Sequence, residues 1–152
     1  MNKKPSPDTM ANFAGVLRMA LGNNLAPDAT TFLEMMAEDG VMEFPYHSAG
    51  PALRLTGRAA ISAHLANVAG MIEIDGFHDL VVHESREPGV FILELNCTGS
   101  AVKTGLPYNQ RYISVITVKD GHIIRYLDYW NPLILQQALG AAAGTVPEGA
   151  QS

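Results

Sequence analysis

Cysteine is nearly missing from this 152-residue chain: Cys97 stands alone, which excludes an intrachain disulfide framework and any zinc site built on several thiolates. Charge is also scarce. Only 16% of residues are Asp, Glu, Lys or Arg, and the ten basic residues are scattered. The net charge of −5 therefore offers no footprint for nucleic acid or an anionic membrane. No apolar run approaches the roughly 18 to 20 residues that a membrane-spanning helix requires. Prolines and Asp8 interrupt the N-terminus where the apolar segment of an export signal would fall. HExxH, GxSxG, the P-loop and GxGxxG are absent, and His47, His64, His78, His83 and His122 show no paired metal-ligand spacing. These absences predict a soluble, cytoplasmic protein that needs no metal or other cofactor.

What the chain does have is apolar bulk. At 47% hydrophobic it excludes wholesale disorder, and its length suits one domain. Met10, Phe13, Ala14, Leu17, Ala20 and Leu21 recur at helical spacing before Gly22. Pro27 and Asp28 open a second helical pattern, with Ala29, Phe32, Leu33 and Met36 on one face and Gly40 placed to end it. A short strand, Val41 to Phe44, stops at Pro45, and a third helix is predicted from about Gly57 to Gly70. From Ile72 the period becomes two, predicting strands over about 72–83, 90–102, 107–118 and 122–130. Asn131 and Pro132 suit the cap and first turn of a last helix through about Leu139. Helices followed by strands predict an α+β domain over 10–139 with helices on one face of an antiparallel sheet, flanked by flexible ends at 1–9 and 140–152.

One residue conflicts with its surroundings. The tract NQRYISVITVKDGHIIRYLDYWNP, residues 109–132, reads as buried hairpin, yet Asp128 sits in it between Tyr126 and Trp130. An ionised carboxylate is costly to desolvate unless it is paired, so the placement implies a partner, a ligand or a raised pKa. A two-residue Asp120-Gly121 loop would set Asp128 opposite Ile113, whereas a three-residue loop sets it opposite Tyr112. The second is preferred, because it gathers Tyr112, Ser114, Tyr126, Asp128 and Trp130 on one face where hydroxyl donors are available. Asp128 is then the leading candidate for a general acid or base, against the alternative of a structural carboxylate bonded to a tyrosine or to the Asn131 amide.

Other candidates are secondary. His64 falls on the same helical face as Ile61, Leu65 and Val68 and should point inward. Tyr46 and His47 in the loop FPYHSAGP could stand at the mouth of a cavity and contact a ligand. Arg111 and Arg125 should lie on the sheet face opposite Asp128, in salt bridges. Cys97, on a strand with no neighbouring His or Lys, reads as a buried inert thiol.

The order of elements and the segments AEDGVMEFPY, LTGRAAISAHL and DGHIIRYLDYWNP resemble the ketosteroid-isomerase-like, or NTF2-like, superfamily, in particular its SnoaL-like branch. The resemblance covers about residues 10 to 139 and implies a cone-shaped α+β barrel. In it a curved sheet wraps three N-terminal helices around an apolar pocket, here lined by Phe44, Leu93, Leu95, Ser114, Tyr126 and Trp130. It also implies a homodimer through an outer sheet face carrying Ile113, Val115, Leu127 and Tyr129.

Family by family, the matches differ. Ketosteroid isomerases would carry a catalytic aspartate where this chain has Phe44, a protonated aspartate where it has Ser114, and a tyrosine in the first helix. None of these is present. Limonene-epoxide-hydrolase-like enzymes share Asp128, but the strand at 90–98 reads ELN instead of Arg-x-Asp. The pattern is most similar to the phenazine-biosynthesis A/B proteins, which implies acid–base handling of a cyclic ketone or imine by Asp128 and His64. An arginine of those proteins is replaced near Phe32, implying a more neutral ligand. The expected function is a small-molecule enzyme of secondary metabolism that isomerises, dehydrates or condenses a hydrophobic cyclic metabolite. In it Asp128 moves the proton, and Tyr112 or His64 bonds the developing oxyanion. A binding-only protein of the same fold is the alternative.

Overall fold

The computed structural model describes residues 12–47 and 53–140. The expected flexible ends at 1–9 and beyond 140, together with Met10 of the first helical pattern, lie outside the described residues. Asn12 caps helix α1 (Phe13–Leu21), its side-chain oxygen accepting the Gly15 amide at 2.7 Å. Leu17 and Leu21 are buried from this helix. The Arg18 guanidinium reaches past the helix end and donates to the carbonyls of Gly22, Leu25, Ala26 and Ala29 at 2.7–3.3 Å. It holds that stretch, one 3-10 turn at Gly22–Asn24 followed by irregular chain, against continuing as α-helix.

The second helix is therefore much shorter than its apolar spacing predicts. Helix α2 spans only Phe32–Met35, started by a capping box between Thr31 and Glu34. At Met36 the chain becomes β1 (Met36–Phe44), which runs parallel to β6 (His122–Tyr129) in the interior of the sheet. Pairing with β6 overrides the helical period, and Gly40 lies inside a strand instead of ending a helix. A short strand absent from the sequence reading, β2 (Leu53–Thr56), covers the outer edge of β1.

Helix α3 (Arg58–Met71) crosses the open side of the sheet. Its start is tied to β1 by Arg58, whose Nε and guanidinium donate to the Met36 carbonyl at 3.0 and 2.7 Å. Strands β3 (Ile72–Glu84), β4 (Val90–Ala101) and β5 (Gln110–Lys119) then follow in antiparallel order before β6, giving the sheet order β2-β1-β6-β5-β4-β3. Asn131 and Pro132 open α4 (Pro132–Ala138) as expected. The sheet is mixed, curved and wrapped about the helices as an NTF2-like cone. Register shifts in β3 after Ile74 and after His78 bend it inward. At the first of these, Gly99 on β4 lies against β3 so closely that an added Cβ would meet the Glu73 carbonyl and sit 3.2 Å from Ile74 Cα. Gly99→Ala is expected to cost about 3 kcal/mol of stability, measured by urea unfolding, because backbone on both strands would have to part.

The final hairpin follows neither predicted register. Lys119 pairs with His122 across a two-residue loop in which Asp120 and Gly121 both have positive φ, 52° and 81°. Continued unbroken, that register would place Asp128 opposite Ile113 on the outer face. Instead, Val118 pairs with Ile123 and Thr117 with Arg125, leaving Ile124 as an extra residue, so Asp128 faces Ser114. The bulge restores the parity expected of a three-residue loop. Tyr112, Ser114, Tyr126, Asp128 and Trp130 do share the inner face.

Candidate active site

The cone encloses a cavity of about 250 Å³ between α1, α2, α3 and the inner sheet face. Phe13, Phe32, Met42, Phe44, Leu65, Val68, Ile74, Phe77 and Leu95 supply apolar wall. His64, Tyr108, Tyr112, Ser114, Tyr126, Asp128 and Trp130 supply the groups that can hydrogen-bond. Among the described residues, no lysine or arginine lines it. Helix α3 buries only Ile61 fully, while His64, Leu65 and Val68 on the expected inner stripe stay half-buried because they roof the cavity.

Asp128 stands in this cavity with its Oδ1 sealed from solvent and without a hydrogen-bond partner among the described residues. Burial pushes its pKa up to about 8. Neither structural partner considered for it, a tyrosine or the Asn131 amide, bonds it. Tyr126 instead exchanges a hydrogen bond with Ser114 at 2.9 Å, and the Asn131 amide donates to Gln110 Oε1 at 3.0 Å. Burial also raises the phenols of Tyr112 and Tyr126 well above their ordinary value, and a negative charge on Asp128 would raise both further. Trp130 Nε1 is a second buried polar atom without a partner among the described residues.

His64 packs its ring on Phe44, centroids 4.7 Å apart. Burial first, and the charge of His47 second, lower its pKa, so it is a neutral imidazole near pH 7. His47 thus sits close enough to be felt by His64 but does not line the cavity.

Two other expected ligand contacts are corrected. Tyr46 is 56% exposed and stacks edge-on against Tyr129, centroids 5.3 Å apart, beside an outer depression. Strand β1 ends at Phe44, and a turn closed by the His47 amide on the Phe44 carbonyl carries the loop residue Tyr46 outward and not to a cavity mouth. Leu93 points inward but is 0% exposed, packed in the core, and only Leu95 of that β4 row reaches the cavity. Phe44, Leu95, Ser114, Tyr126 and Trp130 do line it.

Tyr108 and Gln110 were missed, although alternation back from Tyr112 along the same strand already placed both on the inner face. Tyr108 lines the cavity and bonds Tyr112 at 3.0 Å through their hydroxyls. Gln110 is 2% exposed and joins β5 to the turn before α4.

The opposite sheet face holds the ion pairs expected of it: Arg111 with Glu94 at 2.8 Å and Arg125 with Glu43 at 3.1 Å. Glu94 also takes His83 at 2.7 Å, so the acidic residue of the ELN segment is engaged outside the cavity. Cys97 is buried, and its thiol pKa is raised by burial. Among the described residues, no three His, Cys, Asp or Glu side chains gather as a metal site, and no helix is long and apolar enough to cross a membrane.

Comparison with known proteins agrees with this architecture. The SnoaL-like domain family matches residues 20–126. A PhzA/B-like protein of Pseudomonas aeruginosa, itself uncharacterised, is 36% identical over 125 residues, covering 81% of this chain and 88% of its own. The crystal structure of a proposed isomerase from Bacillus subtilis superposes with a TM-score of 0.71 at 38% identity, over 84% of this chain and 92% of its own. A Catenulispora acidiphila protein with a ketosteroid isomerase-like fold superposes at 0.61 over 91% of this chain and all of its own, but at 19% identity it speaks for the fold alone. The inner-face carboxylate, the cone and these likenesses agree: the chain belongs to the SnoaL-like domain family.

Proposed function

We propose that the protein is a cofactor-independent enzyme that moves a proton on a small, neutral, hydrophobic cyclic substrate, in an isomerisation, dehydration or condensation, with Asp128 as the proton-transfer group. The observation that carries this reading is the unpartnered carboxylate in an apolar cavity. A group with a pKa of about 8 exchanges its proton near neutral pH. The cavity of about 250 Å³ falls just below the roughly 300–1,000 Å³ of pockets for drug-sized ligands, which suits one or two rings. The absence of lysine and arginine from its lining among the described residues disfavours an anionic substrate and equally the epoxide-hydrolase arrangement, which needs an arginine beside the carboxylate. His64 and Tyr112 are the candidate partners for a developing oxyanion.

Proton transfer can be read without knowing the substrate. Small cyclic ketones incubated in heavy water should gain deuterium at the carbon next to the carbonyl, followed by NMR. If Asp128 is the base, the rate rises with pH to a plateau, half-maximal near pH 8. Tight binding of the same ketones with no exchange at any pH would favour the second reading, a binding-only protein, which the small number of polar groups in the cavity supports.

A further inference from the structure

We infer that a directed chain of hydrogen bonds, running from the Asn131 peptide through Gln110 and Tyr108 to Tyr112, commits the Tyr112 hydroxyl to donating its proton into the cavity. The inference rests on the cavity as the ligand site and assigns the oxyanion donor within it to Tyr112, with Gln110 and Tyr108 as positioning residues.

The direction follows from counting donors. Gln110 Oε1 accepts two backbone amides, Asn131 at 3.0 Å and Arg111 at 3.2 Å. That fixes the side-chain amide, because the flipped form would set its NH2 against two N–H donors. Its two Nε2 hydrogens are then both placed, one on the Asn131 carbonyl at 3.0 Å and one on the Tyr108 oxygen at 3.4 Å. Tyr108 is buried at 6% exposure, and among the described residues its hydroxyl has one remaining hydrogen-bond neighbour, the Tyr112 oxygen at 3.0 Å. Both tyrosines line the cavity and one of the two protons is left to face it; Tyr108 is the more deeply buried residue and Tyr112 only half-buried, so the spare proton is assigned to Tyr112. Tyr108 therefore donates and Tyr112 accepts.

The Cys97 sulfur lies 4.0 Å from both the Tyr112 hydroxyl and the Tyr108 carbonyl, so its single proton is shared weakly between them. With its oxygen supplied from behind, Tyr112 has the cavity left for its own proton. Burial holds both phenols protonated, Tyr108 up to about 12 and Tyr112 well above its ordinary value, so the donors persist across the physiological range. Such a chain also polarises its last member, which strengthens the bond it gives. Among the described residues, no comparable chain orients His64.

Neutron diffraction from deuterated crystals of the full chain reads the direction without any ligand. The deuteron on Tyr108 is expected on the line to Tyr112, and that on Tyr112 is expected to face the cavity. A Tyr112 deuteron lying on the line to Tyr108 overturns the inference.

A second test uses two neutral bicyclic probes, 1-tetralone, which only accepts, and 1-tetralol, which can also donate. Gln110→Glu, protonated in its buried place, would donate to the Asn131 carbonyl and accept from Tyr108, reversing the chain so that Tyr112 presents a lone pair. Tetralone should then bind about three- to tenfold more weakly while tetralol is unchanged, whereas Tyr112→Phe weakens both. Equal weakening of both probes by Gln110→Glu would mark a merely structural glutamine and overturn the assignment. Failure of the wild-type protein to bind tetralone would count against the neutral-ligand reading alone, with the neutron positions still deciding the chain.

Discussion

Asp128→Asn is expected to remove proton transfer in the cavity and at the same time to make the protein more stable in alkali. For turnover, loss of a positioned acid or base typically lowers the rate about 10²- to 10⁴-fold, and deuterium exchange into cyclic ketones should fall by at least about a hundredfold.

The effect on stability follows from linkage. In the folded protein burial raises the carboxyl from its ordinary 3.8 to about 8, so the folded state holds a proton that the unfolded chain has released. The stability this confers is complete below the unfolded value and is lost steadily as pH climbs toward the folded one. Between pH 5 and pH 9 the loss attributable to Asp128 is about 4 kcal/mol. Asparagine keeps the shape and does not ionise, so urea unfolding of the variant should lack this decline and leave it the more stable form at pH 9. His64 contributes with the opposite slope, since its lowered pKa favours the unfolded state in acid. The difference between variant and wild type cancels that contribution. A variant less stable than wild type at every pH would show that the carboxylate is paired and structural.

Deletion of Ile124, by contrast, should leave Asp128 in the cavity. That residue is the unpaired one in β6, and the register shift it creates puts Tyr126, Asp128 and Trp130 on the inner face. Without it the two-residue loop leads into an unbroken ladder in which Val118 still meets Ile123, Thr117 meets Arg125 and Ser114 meets Asp128, so every side chain beyond the deletion keeps its face. What is lost is the local bend of the bulge, and the register shift between β1 and β6 at the same place must absorb one residue more. The expected outcome is a folded protein about 1–3 kcal/mol less stable than wild type by urea unfolding, with deuterium exchange into cyclic ketones retained. A folded variant that no longer exchanges would mean that the bend, and not the pairing alone, places Asp128.

The same strand shows how far the sequence could be read. Asp128 was legible as the anomaly because its cost is a property of the residue type and its apolar neighbours, and the gathering of Tyr112, Ser114, Tyr126 and Trp130 followed from period two. The register was not legible. A bulge is one residue of unpaired backbone, and Ile124 carries no side-chain mark that distinguishes it from Ile123. The second helix failed for a different reason. Ala29, Phe32, Leu33 and Met36 do have helical spacing, but the alternative is a place beside β6, an interaction with a partner more than 80 residues away in sequence. Tyr46 was misplaced because nothing in the loop FPYHSAGP marks which way the turn after Phe44 will carry it. Gln110 and Tyr108 lay within reach, two and four residues before Tyr112, but a polar residue in a strand gives no warning of which backbone atoms it will join.

The Arg18 side chain also bears on the dimensions of the cavity from a distance. Phe13 on α1 and Phe32 on α2 are neighbouring wall residues, with ring centroids 5.5 Å apart. The backbone joining them is the stretch whose carbonyls the guanidinium gathers. That cation acts as a spacer bolt, setting how wide the two phenylalanines stand. Among the described residues its hydrogen-bond partners are backbone carbonyls, which tie the guanidinium to the chain path itself. The width of this pocket can therefore be retuned by shortening or lengthening the linker between the two rings, with no wall residue replaced.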